Sequence, residues 1–324
     1  METELKFQVP QASRAALLAA MKAGPTRTTR LQAVYAETAD RRLAANGMAL
    51  RLRQEDRRWV QTLKGRGDGL MNRLEHEVLL PPQRGTPVLD VQRHAGTAVG
   101  DRLIALLNGE PLRPLYRTDI RRLHGVAHFH ELRVEVAYDR GWLLVDGGPD
   151  DAAAPRRLAV DEIELELLSG PAQLLVGYAM MGVAHHGLWW DCRTKSERGM
   201  RLALGLDRVP ATTAPPRRVA RSFAGWQAAV ADALAHALPN AAEIANGLGS
   251  ADHERELQLA LKRLRAVLGQ RSAGVFADSA RILDASLATL QAKPDWRVSD
   301  PGFNVLMLGA LGLSLPLSAV EPAG

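Results

Sequence analysis

Cysteine is nearly absent from this 324-residue chain. Cys192 stands alone, which excludes an internal disulfide and any cysteine-cluster metal site and suits a reducing compartment. Long apolar runs are missing too: the most apolar late stretch, Val305 to Leu317, is broken by Gly309, Gly312 and Pro316 and is too short to cross a bilayer. The first residues, Met1-Glu2-Thr3-Glu4-Leu5-Lys6, put acids where a secretion signal needs a basic start followed by an apolar stretch. A cytoplasmic location is therefore expected. No Gly-rich loop of the Walker type occurs, which disfavours a P-loop nucleotidase. The nine histidines show no metal-ligand spacing on a recognisable helix.

What is present is ordinary in amount: 46% hydrophobic and 24% charged residues, with a net charge of +5. These values exclude wholesale disorder and a nucleic-acid binder driven by a basic tail. The length favours two domains. Residues 208–222 carry Pro210, Pro215, Pro216, two threonines and four arginines with no hydrophobic period, which reads as a linker. The expected division is 1–206, a linker at 207–222 and a domain at 223–324. The first part mixes alternating and helical patterns, whereas the second repeats Ala and Leu at helical spacing, as in 226–238 and 254–268. A net charge of +4 lies up to residue 206 and only +1 beyond it.

Within the first part, strands are expected at 2–9, 48–55, 58–64, 73–80, 116–124, 130–138, 142–146 and 158–168, and helices near 11–22, 98–107 and 171–181. Many antiparallel strands with few helices suggest a barrel or a strongly curved sheet. Alternate residues of a strand face opposite sides, and here the two sides differ sharply. Glu2, Glu4 and Lys6 oppose Leu5 and Phe7; Arg51 and Arg53 oppose Leu50 and Leu52; Thr62 and Lys64 oppose Trp59 and Leu63. Likewise Arg73, Glu75 and Glu77 oppose Leu74 and Val78, and Glu162, Glu164 and Glu166 oppose Ile163, Leu165 and Leu167. Like charges two apart on one face repel, so groups of opposite sign should neutralise them. The charged faces are therefore expected to line an enclosed tunnel, with apolar faces outward against helices.

Taken together, Glu2-x-Glu4-x-Lys6, Arg51-x-Arg53, Thr62-Leu63-Lys64-Gly65, Arg73-x-Glu75-x-Glu77, Thr118-Asp119-Ile120-Arg121-Arg122, Glu162-x-Glu164-x-Glu166 and Lys195-Ser196-Glu197-Arg198-Gly199 resemble, in order, the signature of the CYTH superfamily, the triphosphate tunnel metalloenzymes. The resemblance covers about residues 1–205. It implies an α+β protein: an eight-stranded antiparallel β-barrel tunnel with flanking helices, followed here by a small all-α domain. It also implies hydrolysis or cyclisation of a triphosphate with a divalent metal.

On that resemblance, Lys6, Arg51, Arg53, Lys64, Arg73, Arg122 and Lys195 bind phosphate, arginine as a fork and lysine as a point charge, with Glu75 and Glu77 on the same substrate-facing wall. Arg117 and Arg198 add to or brace this set. Glu2, Glu4, Asp139, Glu162 and Glu164 are the expected ligands of Mg²⁺ or Mn²⁺, which prefer carboxylate oxygens; Glu166 extends the same face. Glu4 and Lys6 are the expected catalytic pair, Glu4 orienting the attacking water. The favoured activity is hydrolysis of inorganic triphosphate to pyrophosphate and phosphate. Thiamine triphosphatase, nucleoside triphosphatase and class IV adenylate cyclase share the signature, and a non-catalytic polyphosphate-binding protein is the reading from another class.

In the second part, Glu256 to Arg265 looks like the start of a CHAD domain, shortened and degenerate. Arg255 stands where that family's histidine would fall, Gln258 replaces an arginine, and His253 lies two residues away. This tail is expected to add little affinity for a polyanion and to be dispensable for the chemistry, with docking or homo-oligomer formation as its expected role. Neither a nucleic acid nor a membrane is an expected partner.

Overall fold

The computed structural model describes residues 2–146, 155–215 and 222–316. Gly147 to Pro149, which with Asp146 carry turn residues in the sequence, and part of the 207–222 linker lie outside the described residues. Strands β1 (Glu2–Gln8), β2 (Arg27–Glu37), β3 (Ala49–Glu55), β4 (Arg58–Arg66), β5 (Asn72–Leu79), β6 (Arg113–Phe129), β7 (Leu132–Val145) and β8 (Arg156–Ser169) pair in the order β5-β4-β3-β2-β6-β7-β8-β1. The first and last of these meet again through Glu2↔Arg73 and Thr3↔Asn72, so the sheet closes into the expected eight-stranded antiparallel barrel. A two-residue strand β9 (Trp189–Trp190) adds to β1 at Phe7 and Gln8.

The barrel is apolar outside and charged inside, as the alternation requires. Leu50 and Leu63 pack outward with Leu43 of α2 (Arg42–Ala45) and with Val99, Leu103 and Leu107 of α3 (Ala98–Leu107). Leu5, Phe7, Ile163 and Leu165 pack outward with Leu17 of α1 (Arg14–Lys22) and with Leu175, Val176, Ala179 and Val183 of α4 (Ala172–His186). Helix α4 reaches His186 and ends at Gly187, whose φ of 61° terminates it. The helix expected near 171–181 thus runs on through His185 and His186.

Strand β2 is the element the charge pattern misses. Its inward residues are Thr29, Leu31 and Tyr35, so it lacks the contrast that marks its neighbours. The expected strands at 130–138 and 142–146 are one continuous β7, which pairs through Gly141 with Ile120 and Val160 in unbroken register. Helix α5 (Lys195–Leu204) was visible only as a motif. It closes one end of the barrel: Leu202 packs with Leu31, Ile120, Leu143 and Val160, and Ala203 with Tyr35 and Tyr116.

Gly199 lets α5 approach this closely, because a Cβ there would lie 2.2 Å from Cε2 of Tyr116. Gly199→Ala is therefore expected to lower stability by about 1–3 kcal/mol, the usual cost of overpacking a core. An unchanged melting temperature would show that the barrel end yields without strain.

Beyond residue 222 lie α6 (Phe223–Ala245), α7 (Ala251–Gly269), α8 (Ala277–Gln291) and α9 (Pro301–Ser314). Their apolar faces do not form a separate core. Trp226, Leu261, Leu287, Phe303 and Met307 belong to the same buried cluster as Phe7, Leu165 and Leu175.

Candidate active site

Alternate residues of every long strand enter the barrel and enclose a cavity of about 1200 Å³. Lining it are Glu2, Glu4 and Lys6 of β1, Arg51 and Arg53 of β3, Thr62 and Lys64 of β4, and Arg73, Glu75 and Glu77 of β5. Arg122 and His124 of β6, Glu135 and Asp139 of β7, Glu164 and Glu166 of β8, and Lys195 of α5 complete the wall. The structure thus brings the sequence-derived set together, with one exception. Glu162 is fully buried and lies beneath the cavity wall, where it holds the residues that line it.

The carboxylates divide into two groups. At the floor, Lys195 Nζ lies 2.7 Å from Asp139, 2.5 Å from Glu162 and 2.7 Å from Glu164. Arg122 donates to both oxygens of Asp139 at 2.7 Å and reaches Glu164 at 2.5 Å; Arg198 pairs with Glu162. Burial opposes ionisation of these acids, but the cations outweigh it. Arg122 and Lys195 hold Asp139 below its usual range, Lys195 and Arg122 hold Glu164 well below, and Arg198 and Lys195 hold Glu162 below. The same carboxylates raise the pKa of Lys195 against its burial. Oxygens of Asp139, Glu162 and Glu164 lie within 4.8 Å of one another, and cations of the chain already neutralise them.

The second group is short of positive charge. Burial pushes Glu2 up to about 7, with a further rise from Glu75, and pushes Glu166 up to about 7, aided by Glu2 and Glu135. Glu4 is raised by burial and by Glu164 and Glu2. Lys64 at 2.7 Å from Glu2 and Arg73 at 2.7 Å from Glu4 do not offset this. A hard divalent cation among these oxygens would supply the missing charge, and an all-oxygen donor set suits Mg²⁺ or Mn²⁺. The residues present therefore offer a carboxylate set that fits such a metal, and among the described residues the oxygens that converge within 4.8 Å are those of Asp139, Glu162 and Glu164.

Three cations of the cavity wall carry unused donors. Lys6 Nζ, Arg51 Nε and Arg53 Nε are each buried without a hydrogen-bond partner among the described residues. Lys6 stands 4.0 Å from Glu162, and its burial lowers its pKa. Arg51 also donates to the Tyr35 hydroxyl at 3.1 Å, and Arg53 reaches Glu77 at 3.2 Å.

Arg122 faces inward and its neighbour Arg121 is exposed. Arg117 lies on the outer face, paired with Asp146, and Arg198 braces Glu162 from below the wall. Sequence reasoning missed Tyr35 and His124, which sit on strands without inward charge contrast. It also missed Glu135, whose place four residues before Asp139 on the same face was the available signal.

Fold and side chains together define a closed β-barrel with a charged, mixed-sign tunnel. The chain belongs to the CYTH family, whose domain matches residues 1–179. An inorganic triphosphatase of Haemophilus influenzae is 29% identical over 171 residues, which are 52% of this chain and 44% of that protein. The match thus spans less than half of that relative. Among solved structures, an adenylate cyclase candidate of Bacillus halodurans is similar at TM-score 0.43 and 17% identity, over 61% of this chain and 96% of that one. An adenylyl cyclase candidate of Hippeastrum with a dominant triphosphatase activity is similar at TM-score 0.42 and 17% identity, over 63% and 96%. No helix among the described residues is long and apolar enough to cross a membrane.

Proposed function

We propose that the protein hydrolyses inorganic triphosphate to pyrophosphate and phosphate inside the barrel, with Mg²⁺ or Mn²⁺. The observation that carries this reading is the set of buried donors on Lys6, Arg51 and Arg53 without a hydrogen-bond partner among the described residues, in a cavity whose wall also carries the carboxylates of Glu2, Glu4 and Glu166. Unpaired buried donors are costly unless a ligand fills them, and an anion with several phosphate oxygens does so. The carboxylates gain nothing from an anion alone, which favours a metal-bound substrate and turnover over simple storage of polyphosphate.

In this reading Arg51, Arg53, Lys64, Arg73, Arg122 and Lys195 bind phosphate oxygens and hold the chain of phosphates in line. Lys6 faces the charge that develops in the transition state. Glu4 accepts a hydrogen bond from the attacking water and orients it toward the terminal phosphorus. Glu2 and Glu4, with Asp139 and Glu164 at the floor, would hold the metal, and Glu162 beneath the wall would keep the floor in place. A metal bound there supplies charge neutralisation and water activation. The water adds to phosphorus as the bridging oxygen leaves with pyrophosphate.

The test measures phosphate and pyrophosphate release from tripolyphosphate, thiamine triphosphate and ATP with Mg²⁺, with Mn²⁺ and with excess chelator. Tripolyphosphate is expected to give the highest kcat/KM, activity to vanish with chelator, and the melting temperature to stay the same, because the barrel needs no structural ion. Full activity in excess chelator overturns the metal reading. Tight tripolyphosphate binding without release of either product establishes the non-catalytic alternative.

A further inference from the structure

The buried polar groups that this chemistry leaves unused form one path, from α6 to the tunnel floor. Glu243 of α6 is 3% exposed, on a helix face otherwise carrying residues such as Ala237 and Ala241. Its Oε1 lies 2.7 Å from Arg201 and 3.8 Å from Arg193, and its Oε2 has no hydrogen-bond partner among the described residues. Arg193, also buried, forks onto Asp191 at 3.0 and 2.9 Å. Asp191 accepts from Gln8 at 3.0 Å, and the same Gln8 amide reaches Glu162 at 3.4 Å. Arg201 turns its other nitrogen to Glu197, one turn earlier on α5.

One carboxylate from the helical region therefore grips the segment 191–201 at both ends. Between the grips sit Lys195, on the tunnel floor, and Arg198, on Glu162. A second tie lies at the start of the segment, where the buried Trp190 N–H donates to Asn304 Oδ1 of α9 at 2.7 Å. Asn304 is fixed in turn by donating to the carbonyls of Val298 and Asp300 at 3.0 and 2.9 Å.

A helix that only covered the barrel would do so with apolar side chains, because burying a carboxylate costs free energy that a pair of arginines does not fully return. What such a pair does supply is fixed geometry. We infer that Glu243 is a positioning residue of the tunnel: through Arg193 and Arg201 it sets where α5 presents Lys195, so that the helical region tunes the affinity for a linear triphosphate. The inference rests on the proposed function.

The test uses the full chain and compares wild type, Glu243→Gln, Arg193→Lys, Lys195→Ala and the two double variants with Lys195→Ala. It measures kcat and KM for tripolyphosphate with Mg²⁺, and the Kd of tripolyphosphate by calorimetry in excess chelator. Glu243→Gln and Arg193→Lys should each raise KM and Kd about tenfold with kcat held within about threefold, as a displacement near 1 Å does to a binding group. In the Lys195→Ala background the same changes should add no more than about twofold, because residues acting through one partner are not additive. Wild-type KM and Kd in both single variants overturn the inference. So does a tenfold loss that persists without Lys195, since Glu243 would then act elsewhere. If Glu243→Gln does not fold, Arg193→Lys, which keeps the charge and loses the fork, decides alone. A wild-type chain that neither binds nor hydrolyses tripolyphosphate overturns the proposed function instead.

Discussion

Replacing Glu4 by Gln is expected to lower kcat for triphosphate hydrolysis by about two orders of magnitude or more, roughly 2.7 kcal/mol at 1.36 kcal/mol per tenfold. Glutamine keeps the size of the side chain and can still accept from Arg73, now 2.7 Å from Glu4. It loses the negative charge that orients the water and holds the metal. Stability should move the other way. Burial and the neighbouring Glu164 and Glu2 raise the pKa of Glu4 above its unfolded value, so the fold loses stability as pH rises above the ordinary carboxylate range and the unfolded chain ionises first. At pH 8 the variant should therefore melt at the same temperature as wild type or higher. An unchanged kcat would remove Glu4 from the chemistry; a lost kcat with a much lower melting temperature would mean that the residue is structural.

Ending the chain after residue 206 is expected to leave the barrel insoluble or to lower its melting temperature by more than about 10 °C. The sequence suggested that the chemistry would survive this cut in a soluble chain, because every residue assigned to phosphate or metal lies at or before Lys195 and the tail carries little charge, and it left the effect on stability open. The shared core decides that effect. Gly312 of α9 lies against α4, where a Cβ would make ordinary contact with Val176 at 3.7 Å, and Leu175, Ala179 and Val183 of α4 are fully buried in the joint cluster. Uncovering three or four such side chains at about 1.5–3 kcal/mol each removes an amount comparable to the whole stability of an ordinary domain. A soluble 1–206 chain with an unchanged melting temperature would show that the helices are a detachable appendage.

The sequence made the barrel legible where a strand carries charge on one side and leucine on the other. Strands β1, β3, β5 and β8 announce themselves in this way. Strand β2 does not, since its Leu31 and Tyr35 pack with Leu202 and Ala203 of α5 and its Thr29 meets His124 through an uncharged hydroxyl. Helix α5 carried a local signal that went unused. Thr194 accepts from the Glu197 N–H at 2.9 Å, and Gly205 ends the helix with φ 64°, which is the start and stop punctuation of a helix. The docking of α9 on α4 had no such signal, because helical periodicity shows which face is apolar and not what covers it. Glu243 was hidden for the same reason: a lone glutamate among alanines looks solvated until its arginines are placed in space.

The order of the strands also governs how the barrel assembles. Strand β1 is made first, yet its long partner is β8, with Lys6 opposite Glu164 and Phe7 opposite Ile163. On the ribosome, β2 to β5 can pair as soon as they emerge, whereas β1 waits for more than half the chain to be synthesised. Pairings so distant in sequence form slowly, and an unpaired strand edge invites association with other chains. During that wait Glu2, Glu4 and Lys6 put charge on every second position of the strand, and charged side chains on a strand edge oppose association with other chains. A charge-neutral β1 would therefore endanger the yield of folded protein before it affected any reaction.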